Sequence, residues 1–343
     1  MYRVLAASFV SGFTCLFLTP ALIRLFMKRG YGQVIREDGP HAHFTKMGTP
    51  TMGGVLILSG TIAGYLLFSM KTFEGFVVLL TMFLCGLLGF IDDLIQVRRK
   101  RSLGLKPSYK FAGQLLIAFV FAFLATRYCH LPSKLSFLGE FGFDLGWFFF
   151  VWVFIIITST SNAVNLTDGL DGLASGSMIM VMTAYLLIAF TMFRHPITEH
   201  PKFYKFSGQP ALDIAIICGA VFGACVGFLW WNAAPAKIFM GDTGSLALGG
   251  VTAAVALMTR TQLLLPILGG LFVIEALSVI IQVGVFKLTG GRRVFKMAPI
   301  HHHFELSGWS EFTVMVRLWI ICGFCVMTGF GLFYIDFVTR VPK

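Results

Sequence analysis

Apolar residues run rather than alternate along this chain. Ten stretches, at residues 4–25, 53–70, 76–96, 111–129, 146–161, 173–193, 211–231, 243–259, 262–286 and 316–337, are dominated by Leu, Ile, Val, Phe, Ala and Gly. Each approaches the ~20 residues that cross a hydrocarbon core as helix. A membrane β-barrel would instead alternate apolar and polar positions in segments of about ten residues. The expected fold is all-α: a polytopic integral membrane protein of about ten transmembrane helices, with residues 1–343 forming one transmembrane domain. Short loops join the runs, and an even count puts both termini on one side. Residues 1–27 carry no small-residue cleavage pattern, so the first run reads as a retained span. Residues 131–146, rich in Gly and aromatics, read as a small surface hairpin. The polar stretch 194–209 has no evident chemical role.

Composition strengthens this picture. The chain is 57% hydrophobic and only 13% charged, with mean hydropathy +0.81, whereas soluble proteins carry about 25% charged residues. A net charge of +11 would suit nucleic acid, but the charge lies in short loops, where it sets topology. The loops after spans one, three, five, seven and nine hold 17 of the 27 lysines and arginines, among them Arg98, Arg99, Lys100 and Arg101. That side is expected to be cytoplasmic and the termini extracytoplasmic. Seven cysteines are scattered. Cys322 and Cys325 form a CxxC inside the last run and read as packing, since no second pair or polar context accompanies them.

The polar clusters fall at the cytoplasmic ends of these runs, and polar groups near hydrocarbon default to function. Asn162, Asn165, Asp168 and Asp171 punctuate the junction between spans five and six, with Gly169, Leu170 and Gly172 between them. Asp92 and Asp93 end span three, about 100° apart around a helix, so they cannot face one partner equally. Lys110 opens span four, as a phosphate contact or a topology anchor. Lys46 to Gly54, including Thr51, offers amides and hydroxyls to an anion at a helix start, or caps an ordinary helix. Asn232 to Ser245 places Asp242 beside Gly241, which suits Mg²⁺ and phosphate oxygens as well as a helix N-cap. Phe239 in that stretch could stack on a base or pack. His301, His302 and His303 are consecutive and lack the spacing of a zinc site. Phosphate contact fits them better. Glu275 and Gln282 share a face of span nine, lining the site or bonding a neighbouring helix.

With these motifs in this order, the chain closely resembles the bacterial phospho-MurNAc-pentapeptide transferase (MraY) family, within the polyprenyl-phosphate N-acetylhexosamine-1-phosphate transferase superfamily. The resemblance covers essentially the whole chain. Asn165-Leu-Thr-Asp-Gly-Leu-Asp-Gly-Leu173 and Ala298-Pro-Ile-His-His-His-Phe-Glu305 are its most specific parts. After Gly308-Trp309, Ser310-Glu311-Phe312 stands where the family commonly has a Pro-Glu-Pro-like stretch. The resemblance implies Mg²⁺-dependent transfer of phospho-MurNAc-pentapeptide from UDP-MurNAc-pentapeptide to undecaprenyl phosphate, giving lipid I and UMP. It implies a multi-pass location in the bacterial cytoplasmic membrane, contact with membrane lipid and a homodimer, and gives no role to nucleic acid. Asp242 would hold Mg²⁺, with Asp92 or Asp93 assisting or acting as base. His301, His302, His303, Lys46, Thr51 and Lys110 would contact phosphates or support the site. Asn162, Asn165, Asp168, Gly169, Leu170, Asn232, Phe239 and Gly241 would serve substrate binding, with the uridine on the side of Asn165, Asp168, Asn232 and Phe239. Two other readings are a UDP-GlcNAc:polyprenyl-phosphate transferase and an ion-coupled transporter. The latter would need acids near the bilayer midplane and on both sides of it.

Overall fold

A computed structural model describes residues 1–30, 32, 48–99, 104–138, 140–195 and 207–340. Its elements are α1 (Tyr2–Arg29), α2 (Gly54–Phe68), α3 (Phe73–Arg99), α4 (Pro107–Arg127), β1 (Lys134–Ser136), β2 (Glu140–Asp144), α5 (Phe148–Thr167), α6 (Leu173–Arg194), α7 (Gln209–Asn232), α8 (Gly241–Met258), α9 (Leu265–Leu268), α10 (Gly270–Leu288), α11 (Ile300–Glu305) and α12 (Glu311–Arg340). All ten apolar runs are helical. Among the described residues nine helices are long and apolar enough to cross a membrane. The tenth, α2, has 15 residues, about 22 Å at the α-helical rise and short of the ~30 Å core. The chain before it is pinned to the segment that leads into α8. The Gly53 and Gly54 amides donate to the Phe239 and Met240 carbonyls, and Phe239 N–H donates to Pro50 O.

Two expectations change in detail, and a third is met. The run 262–286 is not one helix, because Gly269 breaks it between α9 and α10. Helix α5 continues past residue 161 to Thr167, so Asn162 and Asn165 are helical. The expected hairpin is present as β1 paired antiparallel to β2.

Helices α7 and α8 form the centre, with α1, α2, α3, α5 and α6 packed around them. The most apolar stretch of α8 is 89% buried in protein. Small residues make this density attainable, as is usual where helices must attract each other inside lipid. A Cβ on Gly223 of α7 would collide with the Ser8 carbonyl of α1. The outer surface is apolar: Phe9, Phe13 and Phe17 stack along the exposed side of α1. One buried acid ties the α2–α3 turn. Asp213 on α7 accepts from Thr72 N–H and Thr72 Oγ1, both at 2.8 Å, and from the Met70 amide.

Candidate active site

The site is built around the first turn of α8. The helix has no side-chain cap of its own, so its first amides need acceptors from elsewhere. Asp93, on α3, supplies them. Its Oδ1 accepts from Asp242 N–H at 3.0 Å, and its Oδ2 accepts from Thr243 N–H at 2.9 Å and Thr243 Oγ1 at 2.6 Å. Asp168, just past the end of α5, accepts from the Gly241 amide. Acids at the C-terminal end of α3 oppose that helix's dipole, but here they face the positive end of α8. Glycines allow the approach. A Cβ on Gly89 would collide with the Asp242 carbonyl, and one on Gly54 with the Gly244 backbone. Gly241 itself has φ 72°, a region costly to other residues.

Asp242 is thereby fixed at the junction of four helices. Lys110 Nζ donates to its Oδ2 at 2.6 Å, and Asn165 Nδ2 donates to its Oδ1 at 2.7 Å. Asn165 also donates to Ser245 Oγ at 2.8 Å. The Lys110 and Asp242 side chains are 20% and 19% exposed, so the pair is sheltered yet reachable. Asp92 lies within hydrogen-bond reach of Asp242. Its other contacts are Gln96 Nε2, donating at 2.6 Å, and the Leu105 amide, donating at 2.8 Å. Asp168 lies in the field of Asp242, Asp93 and Asp171. Burial first, and then these neighbouring charges, push its carboxyl well above the usual range.

The other expected residues are placed as follows. Thr51 Oγ1 sits beside Gly241, 3.1 Å from where a Cβ would stand. Asn162 faces α4 instead of Asp242, donating to Gln114 Oε1 at 3.2 Å. Asn232 is a buried brace. It accepts from Ser175 Oγ and the Gly172 amide and donates to Ile238 O. Phe239 is half-buried and Leu170 is buried. His301 is buried on α11, bonded through Nδ1 to Glu275 Oε2 at 3.0 Å, and its ring meets Gly169. His302 pairs with Glu305 at 2.7 Å. His303 Nδ1 accepts from the Lys296 amide, which secures the preceding loop. Gln282 also serves that loop, bonding the backbone of Val294 and Phe295. Lys46 lies outside the described residues. Ser310 and Glu311 start α12: Ser310 Oγ accepts from Thr313 N–H, and Glu311 accepts from the Asp171 amide. Gln114, Gln96 and Asp213 were not anticipated, since a lone polar residue in an apolar run does not reveal its partner.

The donor set was tested against a divalent cation. Among the described residues no three His, Cys, Asp or Glu side chains form a ready cage. Mg²⁺ does not require one: it usually binds through one or two carboxylates and keeps its other positions for water and phosphate oxygens. Asp242 with Asp92 beside it supplies that pair of carboxylates, and the surrounding acids outnumber Lys110. The residues therefore fit Mg²⁺.

Comparison with known proteins agrees with the geometry. The family model described as glycosyl transferase family 4 matches residues 75–260. The phospho-N-acetylmuramoyl-pentapeptide-transferase signature 1 matches residues 46–58. Proteins named phospho-N-acetylmuramoyl-pentapeptide-transferase are similar over nearly the full length. One from Frankia casuarinae is 51% identical, covering 99% of both chains. One from Streptomyces griseus subsp. griseus is 48% identical, covering 99% of this chain and all of its own. One from Thermobifida fusca is 46% identical with the same coverage.

Proposed function

This chain belongs to the phospho-N-acetylmuramoyl-pentapeptide-transferase family, and from that premise we infer how its own residues carry the reaction. The protein is a multi-pass enzyme of the bacterial cytoplasmic membrane. It transfers phospho-MurNAc-pentapeptide from UDP-MurNAc-pentapeptide to undecaprenyl phosphate, giving lipid I and UMP, and requires Mg²⁺. The site lies at the cytoplasmic face with both termini outside. The supporting observation is that the loops carrying it are the Lys- and Arg-rich set. A nucleotide sugar in the cytoplasm and a lipid phosphate at the interface can both reach such a site.

Asp242, with Asp92, would hold Mg²⁺. When bound, the ion neutralises charge on the diphosphate. Lys110 supplies a further cation at the same point, and the amino end of α8 directs its dipole there. An oxygen of the lipid phosphate attacks the phosphorus that bears the sugar. The bridging P–O bond breaks, and its electron pair leaves on UMP. Asp92 is the better of the adjacent pair to approach the acceptor phosphate, because it adjoins Asp242, whereas Asp93 is tied by three hydrogen bonds to the first turn of α8. Asn165 and Asp168 position the site from the side of α5 and its terminal turn, with Phe239 and Thr51 on the α8 side. Direct attack is preferred to a carboxylate nucleophile, because the phosphate monoester is already anionic and the nearby carboxylates are engaged.

Asp242 held between Lys110 and Asn165 carries this reading. The test is UMP release by purified protein with UDP-MurNAc-pentapeptide, undecaprenyl phosphate and Mg²⁺. Asp242→Asn should cost at least about a hundredfold in kcat while the protein remains folded. Release with UDP-GlcNAc but not the pentapeptide donor would overturn the substrate assignment. A phospho-MurNAc enzyme isolated without lipid acceptor would overturn direct attack.

A further inference from the structure

Helix α10 carries Glu275, a fully buried acid in a membrane-spanning segment. An isolated carboxylate there is costly and calls for a partner. The partner is His301, also fully buried, whose Nδ1 stands 3.0 Å from Glu275 Oε2. A carboxylate at this contact can only accept, and in that arrangement the proton of the imidazole sits on Nδ1. That leaves Nε2 as the nitrogen available for other work. Among the described residues, neither His301 Nε2 nor Glu275 Oε1 has a hydrogen-bond partner. The Nε2 atom faces Gly169, where a Cβ would collide with it. Gly169 directly follows Asp168, whose carboxylate receives the first amide of α8.

Two features show that the arrangement is braced. His302 lies with its ring centroid 4.2 Å from that of His301 and is itself held by Glu305 at 2.7 Å. Beyond them Phe304 stacks on Trp309 with centroids 4.7 Å apart, and Arg317 lies over Trp309 at 4.0 Å. The short helix α11 is therefore fastened to α12 on one side and to α10 through Glu275 on the other.

We propose that Glu275 is a positioning residue for His301, fixing the Nδ1–H form so that Nε2 is presented to the Asp168–Gly169–Leu170 turn. Gly169 is the complementary half of the device, because it leaves the room into which the ring edge projects. In this form Nε2 carries no proton and acts as the acceptor: it takes the proton of a singly protonated phosphate oxygen brought beside that turn, the imidazolium so formed is held against Glu275, and the proton is returned to water after transfer. Glu275 itself touches no substrate. The proposal rests on the transferase reading above.

The test has one arm that does not depend on turnover. Histidine labelled with ¹⁵N in the full protein, with the His301 signals identified by their loss in His301→Asn, reports which ring nitrogen carries the proton. The wild-type protein should show Nδ1 protonated. In Glu275→Gln, which keeps the side-chain shape and removes the charge, the proton should move to Nε2. In the same variant kcat should fall roughly 10- to 100-fold, the scale for removing a partner that orients a functional imidazole, with both KM values within about twofold. Gly169→Ala, which displaces the ring from the other side, should lower kcat likewise. A bare Nδ1 in the wild-type protein would overturn the proposal. So would an unchanged kcat in Glu275→Gln, or a fall in kcat with the proton still on Nδ1. If the enzyme proved inactive with the pentapeptide donor, the proton position would still be read, separating failure of this proposal from failure of the substrate assignment.

Discussion

Asp92 and Asp93 are chemically identical neighbours whose surroundings divide their work. Asp93 is bonded to two amides and a hydroxyl of α8, whereas Asp92 adjoins Asp242. Asp93→Asn should therefore lower Tm, with a loss of about 1–2 kcal/mol for a removed helix cap, and lower activity with it. Asp92→Asn should leave Tm within a degree or two of wild type on the same scale and lower kcat alone. Thermal unfolding in detergent beside UMP release separates the two. Asp168 gives a pH prediction for metal-free protein. Its native pKa is raised, so the folded state binds more protons than the unfolded one from about pH 4 upward. Stability is accordingly lost as pH rises from the unfolded value through the raised native one. Asp168→Asn should remove this loss, so its Tm advantage over wild type should be larger at pH 8 than at pH 4.5. Activity should fall in the same variant. Equal Tm differences at both pH values would contradict the assignment. The acids were legible in the sequence because a carboxylate in an apolar run is costly. Their division of labour was not, because it depends on α8, distant in the chain. Asn162 and Asn232 illustrate the same limit. Both were read as substrate ligands, and both are hydrogen-bonded to neighbouring helices and turns.

Helix boundaries were legible to within a few residues wherever apolar runs met charged loops. They were less so where the backbone itself decided. Nothing in its hydropathy marks the break at Gly269, and α5 runs on through polar residues because its last turns face protein and not lipid. Glycines make a sharper test of element packing. Gly89→Ala should force α3 and α8 apart at the Asp242 carbonyl, costing about 1–3 kcal/mol as overpacking and most of the activity. Gly284→Ala on α10 meets nothing within 4 Å and should be neutral or stabilising, as Ala is favoured in helices. Comparing melting temperatures and turnover of the two variants checks the prediction. A tolerant Gly89→Ala would mean that α8 is not held as described.

At the scale of the whole molecule, the proposed topology, argued from the loop charges, can be measured from outside the cell. A cysteine at exposed Asp144 in the hairpin should react with an impermeant thiol reagent in intact cells. A cysteine at exposed Ser307 should react only after the membrane is opened. The reverse pattern would move the active site to the other leaflet. The burial of α8 reaches further than the geometry of Asp242. Its mean hydropathy is 1.2, against 2.3 for α7, and protein rather than lipid surrounds most of it. Such a segment is a poor candidate to leave the translocon alone. Its neighbours α2, α3, α5 and α6 all precede it in the chain, so the helices it packs against are made before it. The helix bearing the central carboxylate thus depends for its insertion on protein made before it, more than on its own affinity for lipid.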